Sequence, residues 1–154
     1  MNVYETAAWE GLRFHSSEAL YQAHKFLPET RVYDPTEERE VSPFEIVMAQ
    51  SNAMVSKMKA KKYRHVERPD WHDIKLDVMN YCVRLKYQQH QRAMDRVLDD
   101  TLGLPIVEKS RKDRLWGAVN DYKGNLVGEN LLGCLWMFIR DERPCVELPP
   151  TIFG

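Results

Sequence analysis

A chain of 154 residues is one domain's length, and 44% hydrophobic with 29% charged residues is an ordinary globular mixture. Lysine plus arginine number 22 against 23 aspartate plus glutamate, a net charge of −1, so no global positive field draws the chain to nucleic acid or an acidic membrane. Seven glycines, eight prolines and three cysteines exclude a low-complexity chain and a disulfide framework, which makes a reducing, cytoplasmic setting the expectation.

The opening residues 1–16 read as short strands or loop, anchored by Trp9, Leu12 and Phe14. Residues 1–5 have neither a basic start nor an apolar run, so no secretory signal is expected there. Ser16 or Ser17 can cap a helix running to about Phe26, and Pro28 stops it. Residues 29–41 are polar and read as an exposed loop. Ser42-Pro43-Phe44-Glu45 is a strong helix start, with a capping serine, a proline at the first helical position and a glutamate closing the box. That helix is expected to reach about Lys62, burying Ile46, Val47, Ala49, Ala53, Met54 and Met58.

Asp70 can cap the next helix, in which Ile74, Val78, Tyr81, Cys82 and Leu85 recur at helical spacing. The pattern lapses after Lys86 and resumes in another phase at Met94, Val97, Leu98 and Leu102, which predicts two helices meeting near Gln88. Gly103 and Pro105 end the second. Residues 104–110 and 115–119 read as extended, and Gly124 and Gly128 as turns. Residues 131–140 form a helix apolar on every face, hence a central one. Its apolar run is half the length needed to span a bilayer, so no membrane partner is expected. The tail with Pro144, Pro149 and Pro150 should be irregular. The fold class is therefore mostly α, a single compact domain over residues 1–154 with a small β element.

Four constellations could carry chemistry. Glu18, Gln22 and Lys25 share one helix face, either a solvated polar face or a pocket wall holding an acid, an amide and a cation. Arg68-Pro69-Asp70-Trp71 is either a cap with a packed indole or a contact for a polar ligand. From Glu108 to Gly117 dense charge, including Asp113, precedes Trp116-Gly117; the indole could stack on a planar ring, or anchor a surface loop. Asn130 opens the apolar helix as its cap or as a donor to a sugar or phosphate. The five histidines are scattered, no acid or cysteine has ligand spacing, and neither a metal nor a cofactor is indicated. Glycine-rich phosphate loops and serine-nucleophile motifs are also missing.

In this order and spacing the segments resemble the NADAR superfamily, the YbiA-like N-glycosidases. The residues that carry the resemblance run from Phe14-His15-Ser16-Ser17-Glu18 through Gln22, Lys25 and Phe26 to Arg68-Pro69-Asp70-Trp71, Met79 and Lys86-Tyr87-Gln88. They continue with Leu98, Thr101, Glu108, Ser110, Asp113, Trp116-Gly117, Gly128, Asn130, Gly133, Met137 and Arg140. The match spans about residues 12 to 141. Three features depart from the family: its Ser-Asn-Phe-rich opening is missing or shortened, Ala118-Val119 follow Trp116-Gly117 in place of a second glycine, and the turn over 120–125 is long.

The resemblance implies a mostly helical fold and hydrolysis of a bond between ribose C1′ and a nitrogen. Substrates would be a phosphoribosylamino-pyrimidine intermediate of riboflavin synthesis or ADP-ribose on guanine, the latter including ADP-ribosylated nucleic acid. Such a reaction passes through an oxocarbenium-like state and needs a carboxyl group beside the bond. Glu18, Glu108 and Asp113 are the acids on the matched motifs, and Glu18 and Asp113 are expected at one pocket with Trp116. Lys25, Arg68 and Arg140 could hold a phosphate, and Trp71 or Trp116 could stack on the base. Lys25 could also attack the sugar and form a Schiff base. Lys57, Lys59, Lys61, Lys62, Arg64 and the cluster from Lys109 to Arg114 could line a groove for nucleic acid. A different class is a catalytically idle domain that binds ADP-ribose or a related nucleotide.

Overall fold

The computed structural model describes residues 2–3 and 12–149; Trp9 and Pro150 lie outside the described residues. Six helices and three two-stranded hairpins account for the ordered elements among them, so the chain is mostly helical. Two compact units divide it: residues 1–82 with 149–154, and residues 83–148.

The first unit begins with β1 (Asn2–Val3) paired antiparallel to β2 (Leu12–Arg13). Helix α1 (Ser17–Ala23) follows, and Ser16 caps it by accepting the Ala19 amide at 3.0 Å. The helix proper stops at Ala23, and the amides of Lys25 and Phe26 close a last turn onto Gln22 and Ala23. Ala19, Leu20, Tyr21, Gln22, Ala23 and His24 are all buried, so most of the circumference of α1 is enclosed.

Residues 29–41 form a hairpin in place of the expected loop. β3 (Val32–Asp34) and β4 (Arg39–Val41) pair in register Val32 to Val41 and Asp34 to Arg39. Each strand is only three residues long, too short for an alternating pattern to register. Asp34 carries the turn. Its Oδ1 accepts the Thr36 amide at 2.8 Å, while Lys62 and Tyr63 both donate to Oδ2 at 2.6 Å. Those two donors, Lys62 first, hold the Asp34 carboxyl well below the usual carboxylate range.

The long helix expected from Ser42 to Lys62 is two. α2 (Pro43–Met48) is capped by Ser42, and α3 (Ala53–Lys62) is capped afresh by Asn52, whose Oδ1 accepts the amides of Met54 and Val55. A second good cap after Gln50-Ser51 lets the chain change direction at little cost. The burial of α3 also differs from expectation. Its enclosed residues are Ser56 and Ala60, while Met54 and Met58 are 72% and 65% exposed. Ala49 and Ala53 are exposed as well. α1 packs on both α2 and α3. Phe14 and Phe44 meet edge to face at 6.4 Å.

A 3-10 turn over Arg64–Val66 leads to α4 (Trp71–Gln89). Its Val78, Tyr81 and Cys82 are buried in the first unit, and burial pushes the Cys82 thiol well up, which makes it inert. In the second unit α5 (Gln91–Asp99) follows its N-terminal flanking residue His90, two residues beyond the expected meeting point. Val83, Leu85, Tyr87, Leu98, Ala118, Ile139 and Val146 are its buried apolar residues. β5 (Val119–Asn120) and β6 (Leu126–Val127) pair across a turn held by Asp121. α6 (Leu131–Glu142) is apolar as expected, yet Phe138 is 60% exposed, so one flank of this helix faces outward. Among the described residues no helix is long and apolar enough to cross a membrane.

His24 gives this fold a pH dependence. The ring is fully enclosed, with Nδ1 donating to the Leu20 carbonyl oxygen at 2.6 Å. Burial lowers its pKa from 6.5 to about 3, and the nearby Arg68 charge pushes the same way. Below pH 6.5 the unfolded chain takes up a proton that the native state refuses, so stability falls as pH drops from about 6.5 toward 3. The loss should reach roughly 1.5 kcal/mol between pH 6.5 and 5. Urea denaturation of wild type and His24→Gln across that range checks this: the substitution should flatten the slope, and an unchanged slope assigns it elsewhere.

Candidate functional site

Helix α1 places its polar residues on a wall that is itself mostly buried. Gln22, 2% exposed, donates from Nε2 to Glu18 Oε1 at 2.7 Å, one turn back along the helix. This bond fixes the carboxyl of the half-buried Glu18, while Gln22 Oε1 is enclosed with no protein partner among the described residues. A buried amide oxygen left open is costly, so Gln22 is an unusual polar residue for an enclosed helix surface.

Lys25 lies just past the end of α1. Its ammonium sits 5.7 Å above the Trp71 ring and 3.8 Å from Glu67 Oε1. Burial lowers the Lys25 pKa below its ordinary 10.5. Glu67 and Glu18 oppose that shift, and Arg64 and Lys57 reinforce it. Trp71 is buried and stacks at a tilt on Tyr21, with ring centroids 5.1 Å apart. The Arg68 amide donates to the Lys25 carbonyl at 2.8 Å, which ties the two matched segments together through the backbone. The Arg68 side chain itself is turned to Asp70 in a two-point pair, 2.6 and 3.0 Å. That pairing lowers the Asp70 pKa.

Lys25 also lines a cavity of about 310 Å³ with Met54, Lys57, Met58, Lys61, Arg64 and Glu67. Four cations therefore face one carboxylate. Of the lysines expected to form a basic groove, Lys57 and Lys61 line this space, whereas Lys62 is held by Asp34. Neither Glu67 nor the two methionines stood out in the sequence. The signal that could have found them is the set 54, 57, 58, 61, a helical stripe whose members alternate thioether and ammonium and so cannot be an ordinary core face.

The remaining expected site residues belong to the second unit. Asp113 Oδ1 accepts the amides of Leu115 and Trp116, both at 2.9 Å, and the Asp113 amide donates to Ser110 Oγ. This local turn sets the approach of half-buried Trp116 to Gly117. A side chain at Gly117 would collide with the Glu108 carbonyl oxygen, so the glycine serves close backbone packing. The Ala118 amide donates to that carbonyl at 2.8 Å. Glu108 is exposed.

Asn130, in a left-handed conformation with φ 52°, precedes α6 without capping it through its side chain. Its Oδ1 accepts the Glu108 amide and its Nδ2 donates to the Ile106 carbonyl, each at 2.9 Å. Arg140 Nη1 donates to the carbonyls of Thr101 and Leu104 at 2.6 and 2.7 Å. Both side chains thus brace the backbone of residues 101–108. Among the described residues no cluster of histidine, cysteine or acid side chains could hold a metal ion.

The model of the NADAR domain family matches residues 2–142. The chain is 31% identical to N-glycosidase YbiA of Shigella boydii over 140 residues, covering 88% of this chain and 77% of that protein. It is also 31% identical to riboflavin biosynthesis protein VVA0006 of Vibrio vulnificus over 132 residues, 86% of this chain but only 31% of that protein. The solved NMR structure of Escherichia coli YbiA resembles it with a TM-score of 0.58 at 28% identity, covering 82% of this chain and 65% of that one. The helical fold and the matched motifs agree with these likenesses. This chain belongs to the NADAR domain family.

Proposed function

We infer that the protein is an N-glycosidase that hydrolyses a bond between ribose C1′ and a nitrogen of a small-molecule ribosyl substrate. The observation that carries this reading is Lys25: an amine whose pKa burial has lowered, over an indole face and near a carboxyl group held in place by Gln22. Relatives named N-glycosidase and riboflavin biosynthesis protein support the reaction class.

The residues suggest the following course. The neutral Lys25 amine attacks C1′, and the bond from C1′ to the base nitrogen breaks. Glu18 takes the proton left on Nζ and passes it to the departing nitrogen. The remaining Nζ proton passes to the ring oxygen as the C1′–O4′ bond breaks and a Schiff base forms; water adds to C1′, the C1′–Nζ bond breaks, and the open-chain sugar leaves with the Lys25 amine restored. Trp71 offers a face to the planar base or the sugar. No metal takes part in these steps. In the second unit Asp113 orients the turn that carries Trp116.

Two measurements test the scheme. Borohydride added during turnover should reduce the Schiff base and leave the sugar's mass on Lys25; trapping on no lysine would remove the nucleophile role. In single turnovers Glu18→Gln should lose roughly 10²–10⁴ in rate. Wild-type rates for Glu18→Gln would overturn the assignment. If neither a ribosylamino-pyrimidine nor ADP-ribosyl-guanine yields free base, the domain is an idle nucleotide binder.

Treatment with a chelator should leave the glycosidase rate unchanged, since protein groups supply every step. Loss of activity that zinc or magnesium restores would contradict that.

A further inference from the structure

We propose that Glu67 is the acid–base partner of Lys25: it takes one proton from the resting ammonium, which frees the amine for attack, and returns it to the nitrogen of the Schiff base, which opens C1′ to water. The reaction steps rest on the N-glycosidase reading, whereas the pairing of the two side chains stands on its own geometry. Glu67 lies one residue before the matched segment Arg68-Pro69-Asp70-Trp71 and outside it.

The backbone sets the pair. Glu67 leaves the 3-10 turn over Arg64–Val66 in an extended conformation, φ −57° and ψ 146°. The next amide, that of Arg68, donates to the Lys25 carbonyl at 2.8 Å, which fixes residue 67 beside residue 25. The Glu67 carboxylate then lies 3.8 Å from Nζ, and the Lys25 and Glu67 side chains are only 19% and 16% exposed. This gap exceeds a hydrogen bond by ~1 Å, which the flexible four-carbon lysine stem closes by turning. Catalytic hydrogen bonds are often long in the free enzyme and tighten once substrate is bound.

The Glu67 carboxylate has no competing use. Arg68, its neighbour in the chain, is turned to Asp70 at two points. Among the described residues Lys25 is the only cation in an ion pair with Glu67, and no side chain or backbone amide donates to its oxygens. Glu18 is placed differently. Its Oε1 already accepts the Gln22 side-chain amide at 2.7 Å, and among the described residues no ion pair joins it to Lys25.

The charges around Lys25 act in the same sense. Burial lowers its proton affinity; Glu67 opposes this most, Glu18 of α1 follows, and Arg64 of the 3-10 turn and Lys57 of α3 reinforce it. Lys61 adds one more cation to the shared lining. Glu67 is therefore the group that most favours the ammonium, and the one best placed to receive its proton.

The protons balance. Attack needs a neutral amine, so one of the three ammonium protons first passes to Glu67. Of the two left on Nζ, one reaches the departing nitrogen through Glu18 and one goes to the ring oxygen. Glu67 then protonates the Schiff-base nitrogen, which makes C1′ electrophilic. Water adds to C1′ and gives one proton to Glu18. As the C1′–Nζ bond breaks, Glu18 returns that proton to Nζ and Glu67 takes the hydroxyl proton of the forming aldehyde. Glu67 finally passes it to the amine, and both carboxylates and the ammonium are restored.

Two variants of the full chain test this, each shown to be folded by its thermal midpoint. Glu67→Gln keeps the side chain's shape but cannot take a proton. Glu67→Ala leaves room for an added carboxylate, since the cavity that Lys25 and Glu67 line is half open to solvent. In single turnovers each variant should lose roughly 10²–10⁴ in rate with KM little changed. Formate added to Glu67→Ala should restore the rate at least tenfold, a rescue that a merely structural glutamate does not permit. A second arm needs no glycosidase substrate: acetic anhydride labelling of Lys25 across a pH series, read by peptide mass. Its midpoint should move to lower pH in Glu67→Gln, because the carboxylate that favours the ammonium is gone. Wild-type turnover in Glu67→Gln would overturn the proposal. So would a rate loss in Glu67→Ala that formate leaves unchanged, or equal labelling midpoints in wild type and Glu67→Gln. A lowered midpoint in Glu67→Gln, with no base released by wild type, would uphold the pair and refute only the proposed reaction.

Discussion

The first unit depends on how α1 and α3 meet. α1 brings Ala19 and Ala23 to its enclosed surface, and α3 brings Ser56 and Ala60, all without measurable exposure. Small residues let helix axes approach closely and leave no room on that side for long side chains. Met54, Lys57, Met58 and Lys61 of α3 therefore stand on the outer side, where they line the cavity with Lys25. The cavity is thus a consequence of the packing. A large residue at Ala60 would push the helices apart and disturb both at once.

Electrostatics then sort the cations of this region. Asp34, buried in the hairpin turn, takes Lys62 and the Tyr63 hydroxyl and fixes the end of α3. Asp70 takes Arg68. Among the described residues Glu67 is the only acid that approaches Lys25 in an ion pair, at 3.8 Å, too loose to offset the desolvation that lowers the Lys25 pKa. A lowered pKa favours the nucleophilic form of an amine, whereas a tight ion pair would favour its protonated form. Trp71, braced by Tyr21, supplies the rigid face against which this amine rests.

The second unit shows how polar residues can serve the backbone. Residues 101–130 contain little regular structure, so their amides and carbonyls need other partners. Asn130, Arg140 and Asp113 provide them, each side chain bonding at least two backbone groups. Gly117 and Gly133 leave space for the carbonyls of Glu108 and Ile106 to approach. Residues of a family motif can thus be needed for the shape of a loop as much as for touching a ligand.

The sequence by itself determined the caps at Ser16 and Ser42, the breaks at Pro28 and Gly103, the helical class and the family motifs. These are local: a capping hydroxyl or a proline acts within one turn of chain. It also placed Glu18 and Gln22 on one face, because helical spacing alone does that. Only the tertiary structure decided that Gln22 is buried, that Lys25 is desolvated over Trp71 and that Met54 and Met58 are exposed. It alone decided that Arg68 and Arg140 turn to protein partners while Lys57 and Lys61 face the cavity. Burial and pairing depend on which distant segment lies opposite. Periodicity states only that a helix has two sides; the small residues at Ser56 and Ala60 decided which side of α3 was enclosed.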